Sequence, residues 1–151
     1  MFTLVPVNFF SPSTAREALS EVAPLPEGSR VSYKELPTLG AVLIYEIPDG
    51  ADTPPEIFGL LEALSSCKEY NKVLCSWKDG SLNLVIAQGR SLLLANEYPA
   101  PDFVTAQYYI FLGLRSLQLN PEITTIRFST PLTEEEEMML YRYFKSVDRL
   151  Q

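Results

Sequence analysis

Apolar positions along the chain fall into short runs, and proline, glycine and asparagine punctuate them. The run Phe2-Thr3-Leu4-Val5 stops at Pro6 and reads as a strand. Ser11 followed by Pro12 supplies an N-cap and a proline at the first helical position, and Ala15, Leu19 and Val22 carry an apolar helix side as far as Pro24. Residues 24–39 are rich in proline, glycine and serine, with a brief extended segment between Val31 and Leu36. Residues 40–47 contain Ala41-Val42-Leu43-Ile44-Tyr45, the kind of apolar run expected of a buried strand in a parallel sheet. Thr53-Pro54-Pro55-Glu56 then opens a second helix, whose apolar side is Ile57, Leu60, Leu61 and Leu64.

After Tyr70-Asn71 the spacing changes to three strands in close succession, at residues 72–77, 82–88 and 92–98. Asp79-Gly80 and Gly89-Arg90 form the turns between them. Leu82, Leu84 and Ile86 alternate onto one face. Asp102 caps a long helix expected to reach Leu119, with Asn120 and Pro121 as its stop signals. Residues 124–129 read as a strand. Thr133 and Glu136 form a capping box for a last helix to about Lys145, and Val147 to Leu150 begins a further strand.

The resulting order is β-α-β-α followed by β-β-β-α-β-α. An antiparallel meander followed by α-β-α is the ribonuclease-H-like plan, and two such halves in tandem make the actin-like ATPase architecture, an α/β class. On this reading residues 1–67 are the remainder of a first half whose meander is missing, and residues 72–151 are a second half. Strand 124–129 is then expected beside the first meander strand and parallel to it. The strand Phe2-Thr3-Leu4-Val5 is expected to leave one edge open. The chain would therefore be a fragment of a longer protein or a domain that depends on assembly.

Several segments also carry a family resemblance. They are Tyr70-Asn71-Lys72-Val73-Leu74, Trp77-Lys78-Asp79-Gly80, Ala87-Gln88-Gly89, residues 117–121 and Leu140-Tyr141-Arg142-Tyr143-Phe144. Together they resemble the later portion of an uncharacterised Bacteroidetes family. That resemblance implies an actin-like ATPase fold and no assigned activity.

Charge and composition narrow the chemistry. The chain has 151 residues, 46% of them hydrophobic, which is enough for a sizeable core. A net charge of −7 and a pI near 4.6 disfavour nucleic-acid and membrane-surface partners. The absence of histidine excludes histidine-based triads and histidine-ligated metals. Cys67 and Cys75 have no CxxC spacing; Cys75 reads as a small buried hydrophobe, and the setting expected is cytoplasmic. The seven glycines, at 28, 40, 50, 59, 80, 89 and 113, make no phosphate-binding motif. The run Glu134-Glu135-Glu136-Glu137 cannot converge on one ion from consecutive helical positions, and complements a helix N-terminus instead.

No catalytic residue, metal or cofactor is therefore expected. Active members of the actin-like superfamily hold phosphate with a glycine-rich first hairpin in each half and admit adenosine at a Gly-Gly-[ST]-like turn. The matching stretches here offer only weak candidates, Asp79 and Gly80 in the first and Ser129 and Thr130 in the second, and Pro131 follows them. The long helix has an apolar stripe of Phe103, Ala106, Ile110, Leu114 and Leu117, which Tyr108, Tyr109, Phe111 and Leu112 extend around the circumference. Such a helix is buried between layers or covers a partner, and burial between the two lobes is the favoured expectation. The leading reading is a non-catalytic actin-like domain that acts through protein contacts. Its partner, or a second copy, would engage the Phe2-Thr3-Leu4-Val5 edge or the Tyr108/Tyr109 helix. The alternative is a nucleotide-binding ATPase or switch whose phosphate contacts come from upstream sequence. A third reading is a small-ligand sensor.

Overall fold

The computed structural model describes residues 1–47 and 53–150. Gly50, one of the glycines surveyed above, lies outside the described residues. The chain divides into two compact units, Met1–Phe58 and Gly59–Gln151. This division falls within the second helix, whereas the element order sets the halves at residues 1–67 and 72–151.

In the first unit, β1 (Phe2–Pro6), β2 (Arg30–Leu36) and β3 (Ala41–Ile47) form a sheet of order β1-β3-β2, antiparallel throughout. Two expectations are corrected here. The segment read as briefly extended is the full strand β2, so the unit runs β-α-β-β-α and not β-α-β-α. β3 is antiparallel to both neighbours, although its apolar run suggested a parallel strand. Such a run reports burial on both faces, which any central strand experiences, and carries no information about direction. β2 was hard to read because Arg30, Lys34 and Glu35 interrupt its apolar pattern at an exposed edge.

The first helix is also shorter than expected. Pro12–Thr14 is a single 3₁₀ turn leading into α1 (Ala15–Ser20), and Ser11 caps nothing with its side chain; its hydroxyl lies 2.9 Å from that of Ser13. Ala15 and Leu19 of α1 pack on Val42 and Ile44, with Met1, Val5 and Val31 at the margin. Val22 is exposed, so the apolar side ends one turn early. In α2 (Glu56–Ala63) and the 3₁₀ turn after it, Ile57, Leu60, Leu61 and Leu64 are all buried.

The second unit contains the meander as expected. β4 (Asn71–Lys78), β5 (Ser81–Gln88) and β6 (Ser91–Pro99) pair antiparallel. β7 (Thr125–Phe128) lies beside β4 and parallel to it, and β8 (Ser146–Arg149) lies parallel beyond β7, giving the order β6-β5-β4-β7-β8. α3 (Phe103–Ser116) covers one face. Its Phe103, Ala106, Ile110 and Leu114 share a core with Val73 and Cys75, with Leu82, Leu84 and Ile86, and with Ile126, Phe128 and Val147. Gly113 allows the close approach, since a Cβ there would lie 3.1 Å from Ile86 Cδ1 and 3.4 Å from Leu84 Cδ2. α4 (Glu134–Tyr141) starts with the expected box: Thr133 Oγ1 accepts from the Glu136 amide at 3.1 Å, and Glu136 Oε1 accepts from the Thr133 amide at 2.9 Å.

Asp102 caps α3 through Thr105 N at 2.8 Å, and hydrogen bonds from Thr105 hold its carboxyl below the ordinary value. The helix ends at Ser116, short of Leu119. Its carbonyls are closed by the bonds Leu119 N to Leu114 O, 2.9 Å, and Gln118 N to Arg115 O, 3.1 Å. This is a Schellman ending, which requires a left-handed residue, and Gln118 occupies that place at φ +58°. A side chain there costs about 1–2 kcal/mol relative to ordinary backbone, and glycine avoids most of it while adding freedom to the unfolded chain. Gln118→Gly is therefore expected to stabilise the protein by about 0.5–1 kcal/mol in urea denaturation. Unchanged or reduced stability would contradict this account of the helix end.

Candidate functional site

The weak candidates gather at one end of the second unit, where the carboxyl ends of β4 and β7 lie side by side. In parallel sheets that is where ligands usually bind. Asp79 and Gly80 are the two residues between paired Lys78 and Ser81, with φ of +53° and +72°. Positive φ at both central positions is a type I′ turn, whose twist matches its strands. The Gly80 carbonyl accepts from the Ala100 amide at 2.8 Å. Asp79 is exposed at the tip.

Ser129 and Thr130 continue β7 along β4. The Ser129 amide donates to Cys75 O at 2.9 Å, and Thr130 Oγ1 accepts from the Trp77 amide at 3.0 Å. The indole of Trp77 turns toward the start of α3, packing edge-on against Phe103 with centroids 5.5 Å apart and donating from Nε1 to Ala100 O at 2.9 Å. The two candidate stretches are thus brought together, and they bond to each other. The Trp77 amide, Gly80 carbonyl and Thr130 hydroxyl all serve the fold. The Ser129 hydroxyl is buried with no partner among the described residues. Beside this end, a cavity of about 80 Å³ lies between Phe128, Thr130, Leu132, Glu137 and Val147. A drug-sized ligand needs roughly 300–1,000 Å³.

A polar cluster that the sequence reading missed occupies the opposite face of β7 and β8. Arg127 pairs with Glu69 and lies 3.6 Å from Asp148 Oδ2, while Ser146 Oγ bonds Thr125 Oγ1 at 3.2 Å. Partial burial pushes the Glu69 carboxyl up, but its own backbone amide, Arg127 and Lys72 together hold it below the usual range. Lys72, itself buried, donates to Gly89 O at 2.7 Å. The alternation Thr125, Arg127 and Ser146, Asp148 was visible in the sequence. It has meaning only once the register sets Arg127 opposite Asp148.

Neither thiol is activated. Burial raises the pKa of Cys67 more than nearby Arg127 lowers it, and Cys75, fully buried, is pushed far above the ordinary thiol range. Among the described residues no group of three or more acidic or thiol side chains could hold a metal, and no helix is long and apolar enough to cross a membrane.

The long helix is two-sided within the second unit. Its inner stripe is buried, but Val104, Tyr108 and Leu112, one turn apart along the outer side, are 66%, 61% and 43% exposed. Tyr109 stacks on Tyr98 at 4.4 Å, Tyr108 meets Tyr109 edge-on at 5.4 Å, and Phe111 meets Tyr143 at 5.0 Å. The helix therefore covers one face of its own sheet and carries aromatic residues on its outer side.

Two measurements check this geometry. Thr130→Val keeps the shape but leaves the Trp77 amide without an acceptor, and is expected to cost about 1–3 kcal/mol, read through fluorescence of the single tryptophan. A loss below the error of the measurement would show that the bond is dispensable. Native protein is expected to expose only Cys67 to a disulfide reagent, slowly, with Cys75 reacting after denaturation. Rapid reaction at both sites would contradict the burial of β4.

Comparison with known proteins agrees with this fold. A crystal structure from Bacteroides thetaiotaomicron VPI-5482, described as a protein with actin-like ATPase fold and unknown function, is similar with a TM-score of 0.78 and 20% identity. The likeness covers 98% of this chain and 64% of that one, so the chain spans less than two thirds of that relative's length. At this identity it shows the fold, which is actin-like. No protein with a curated description matches the chain. The family model described as "Protein of unknown function (DUF3822)" matches residues 56–147, more than half of the sequence, and the chain belongs to that family.

Proposed function

We infer that this is a non-catalytic actin-like domain that works through protein contacts. The observation that carries the reading is the mutual bonding of the two candidate stretches. The Trp77 amide is taken by the Thr130 hydroxyl, and the Cys75 carbonyl by the Ser129 amide. Phosphate recognition in such a hairpin depends on free backbone amides and on glycines that admit close approach, and Cys75-Ser76-Trp77-Lys78-Asp79-Gly80-Ser81 has one glycine. The surface favoured for contact is the outer side of α3, because tyrosines provide large, stiff contact area with a polar tip.

The strand order β6-β5-β4-β7-β8 supports a ribonuclease-H-like reading of the second unit, with the first as the remainder of a partner half. Two unpaired cysteines support a reducing, cytoplasmic setting, and the organism of the structural relative supports a Bacteroidetes source.

Calorimetric titration with Mg-ATP tests the reading, together with thermal melts in excess nucleotide. A ligand at 100 times its Kd adds about 2.7 kcal/mol to stability, which would raise the melting temperature by several degrees. The expected outcome is neither binding heat nor a shift at millimolar nucleotide. Micromolar binding with turnover would overturn the proposal and establish the ATPase or switch instead.

A further inference from the structure

The two sheets formed by the described residues have four edge strands, β1, β2, β6 and β8. Three of them carry charge, the usual protection of an edge against pairing with another chain. β2 has Arg30, Lys34 and Glu35, β6 has Glu97, and β8 has Asp148 and Arg149. β1, Phe-Thr-Leu-Val-Pro, has none. Directly after it, Val7 and Phe9 are 50% and 81% exposed. β1 is thus the least protected edge among the described residues, and apolar side chains flank it.

The pairing pattern identifies its free main-chain groups. Ladder bonds of an antiparallel pair fall on alternate residues. The Met1 carbonyl accepts from Glu46 N at 3.2 Å and Val7 N donates to Gly40 O at 2.9 Å, both in the register that sets Thr3 opposite Ile44. Thr3 and Val5 therefore make the intervening bonds to β3. Phe2, Leu4 and Pro6 point their main-chain groups away from the sheet. Proline, which has no amide to offer, sits at one of the outward positions, as edge strands require.

We propose that β1 is a β-augmentation site for a second copy of this chain, paired antiparallel about a two-fold axis through Thr3. In that register Phe2 of each chain faces Leu4 of the other, so all outward amides and carbonyls of both residues are satisfied without calling on the amide-less Pro6. The two Thr3 residues face each other as a non-hydrogen-bonded pair, where side chains stand closest. Charge favours a second copy over a charged partner segment. An uncharged edge meets itself without like-charge contact, and offers a charged strand no counter-ion. An antiparallel edge is also self-complementary under two-fold symmetry. Each copy carries a net charge of −7, so long-range repulsion opposes association and salt relieves it. The inference does not depend on whether nucleotide binds.

Sedimentation equilibrium on the full chain, free of any N-terminal tag, tests the proposal. A concentration-dependent dimer that strengthens with salt is expected. Thr3→Lys, which sets two ammonium groups against each other on the axis, is expected to weaken it about tenfold or more, as a penalty near 1.4 kcal/mol gives. Leu4→Pro removes an outward amide that β1 does not use within its own sheet, and is expected to do the same while circular dichroism reports an intact fold. Thr3→Cys in a Cys67→Ser background is expected to cross-link on mild oxidation, since facing strand residues lie within disulfide reach. A chain that stays monomeric to millimolar concentration overturns the proposal. So does a dimer indifferent to Thr3→Lys and to folded Leu4→Pro, or one in which Thr3→Cys does not cross-link. A dimer lost instead with Tyr108→Ser would assign the contact to α3.

Discussion

The second unit is organised around the demands of β4. This strand is buried along nearly its whole length and flanked on both sides. Its amides and carbonyls need partners in two directions, and an unmet buried group costs about 1–3 kcal/mol. β5 meets one side over eight paired positions. β7 meets the other over only four, ending at Cys75 and Phe128. Beyond that point the Ser129 amide and the Thr130 hydroxyl act as a strand would, and Pro131 turns the chain away. At this end of the sheet the groups of the two candidate stretches complete the pairing of β4. The Trp77 amide and the Cys75 carbonyl are thereby both met.

The polar face of β7 and β8 shows why proximity of reactive residue types is weak evidence for chemistry. Cys67, Glu69, Lys72 and Arg127 influence one another electrostatically, which on paper resembles an activated thiol. The balance runs the other way, because burial of Cys67 outweighs the cation beside it. Glu69 and Arg127 satisfy each other, as partly exposed pairs commonly do, at about 0–1 kcal/mol of net stability. The cluster anchors the segment before β4 to β7.

Among the described residues, α3 and the β1 edge both carry apolar side chains that are not fully buried. Period alone marks Tyr108 and Leu112 as apolar but not as buried or exposed, because a helix apolar on most sides fits either case. One sheet face takes the stripe from Phe103 to Leu114 and leaves the rest outward. The contrast between β1 and the charged edges β2, β6 and β8 is likewise a pattern of composition. It gains meaning only when the sheet order shows which strands are edges.

Much of the architecture was legible from local chemistry. The Asp79-Gly80 turn, the Thr133/Glu136 box, the Asp102 cap and the alternating Leu82, Leu84 and Ile86 each depend on residues a few positions apart, whose geometry the backbone dictates. Even the parallel placement of β7 followed from a meander succeeded by a helix. The errors share a different origin. The direction of β3, the full length of β2 and the Schellman stop at Gln118 depend on what lies across the sheet or beneath the helix. The same holds for the bond between Trp77 and Thr130, 53 positions apart. Local sequence determined which segments would be strands, helices and turns, because those choices are settled by side-chain period, caps and positive-φ residues. Only the tertiary structure decided which backbone groups were left over for function, because that depends on which strands come to lie side by side.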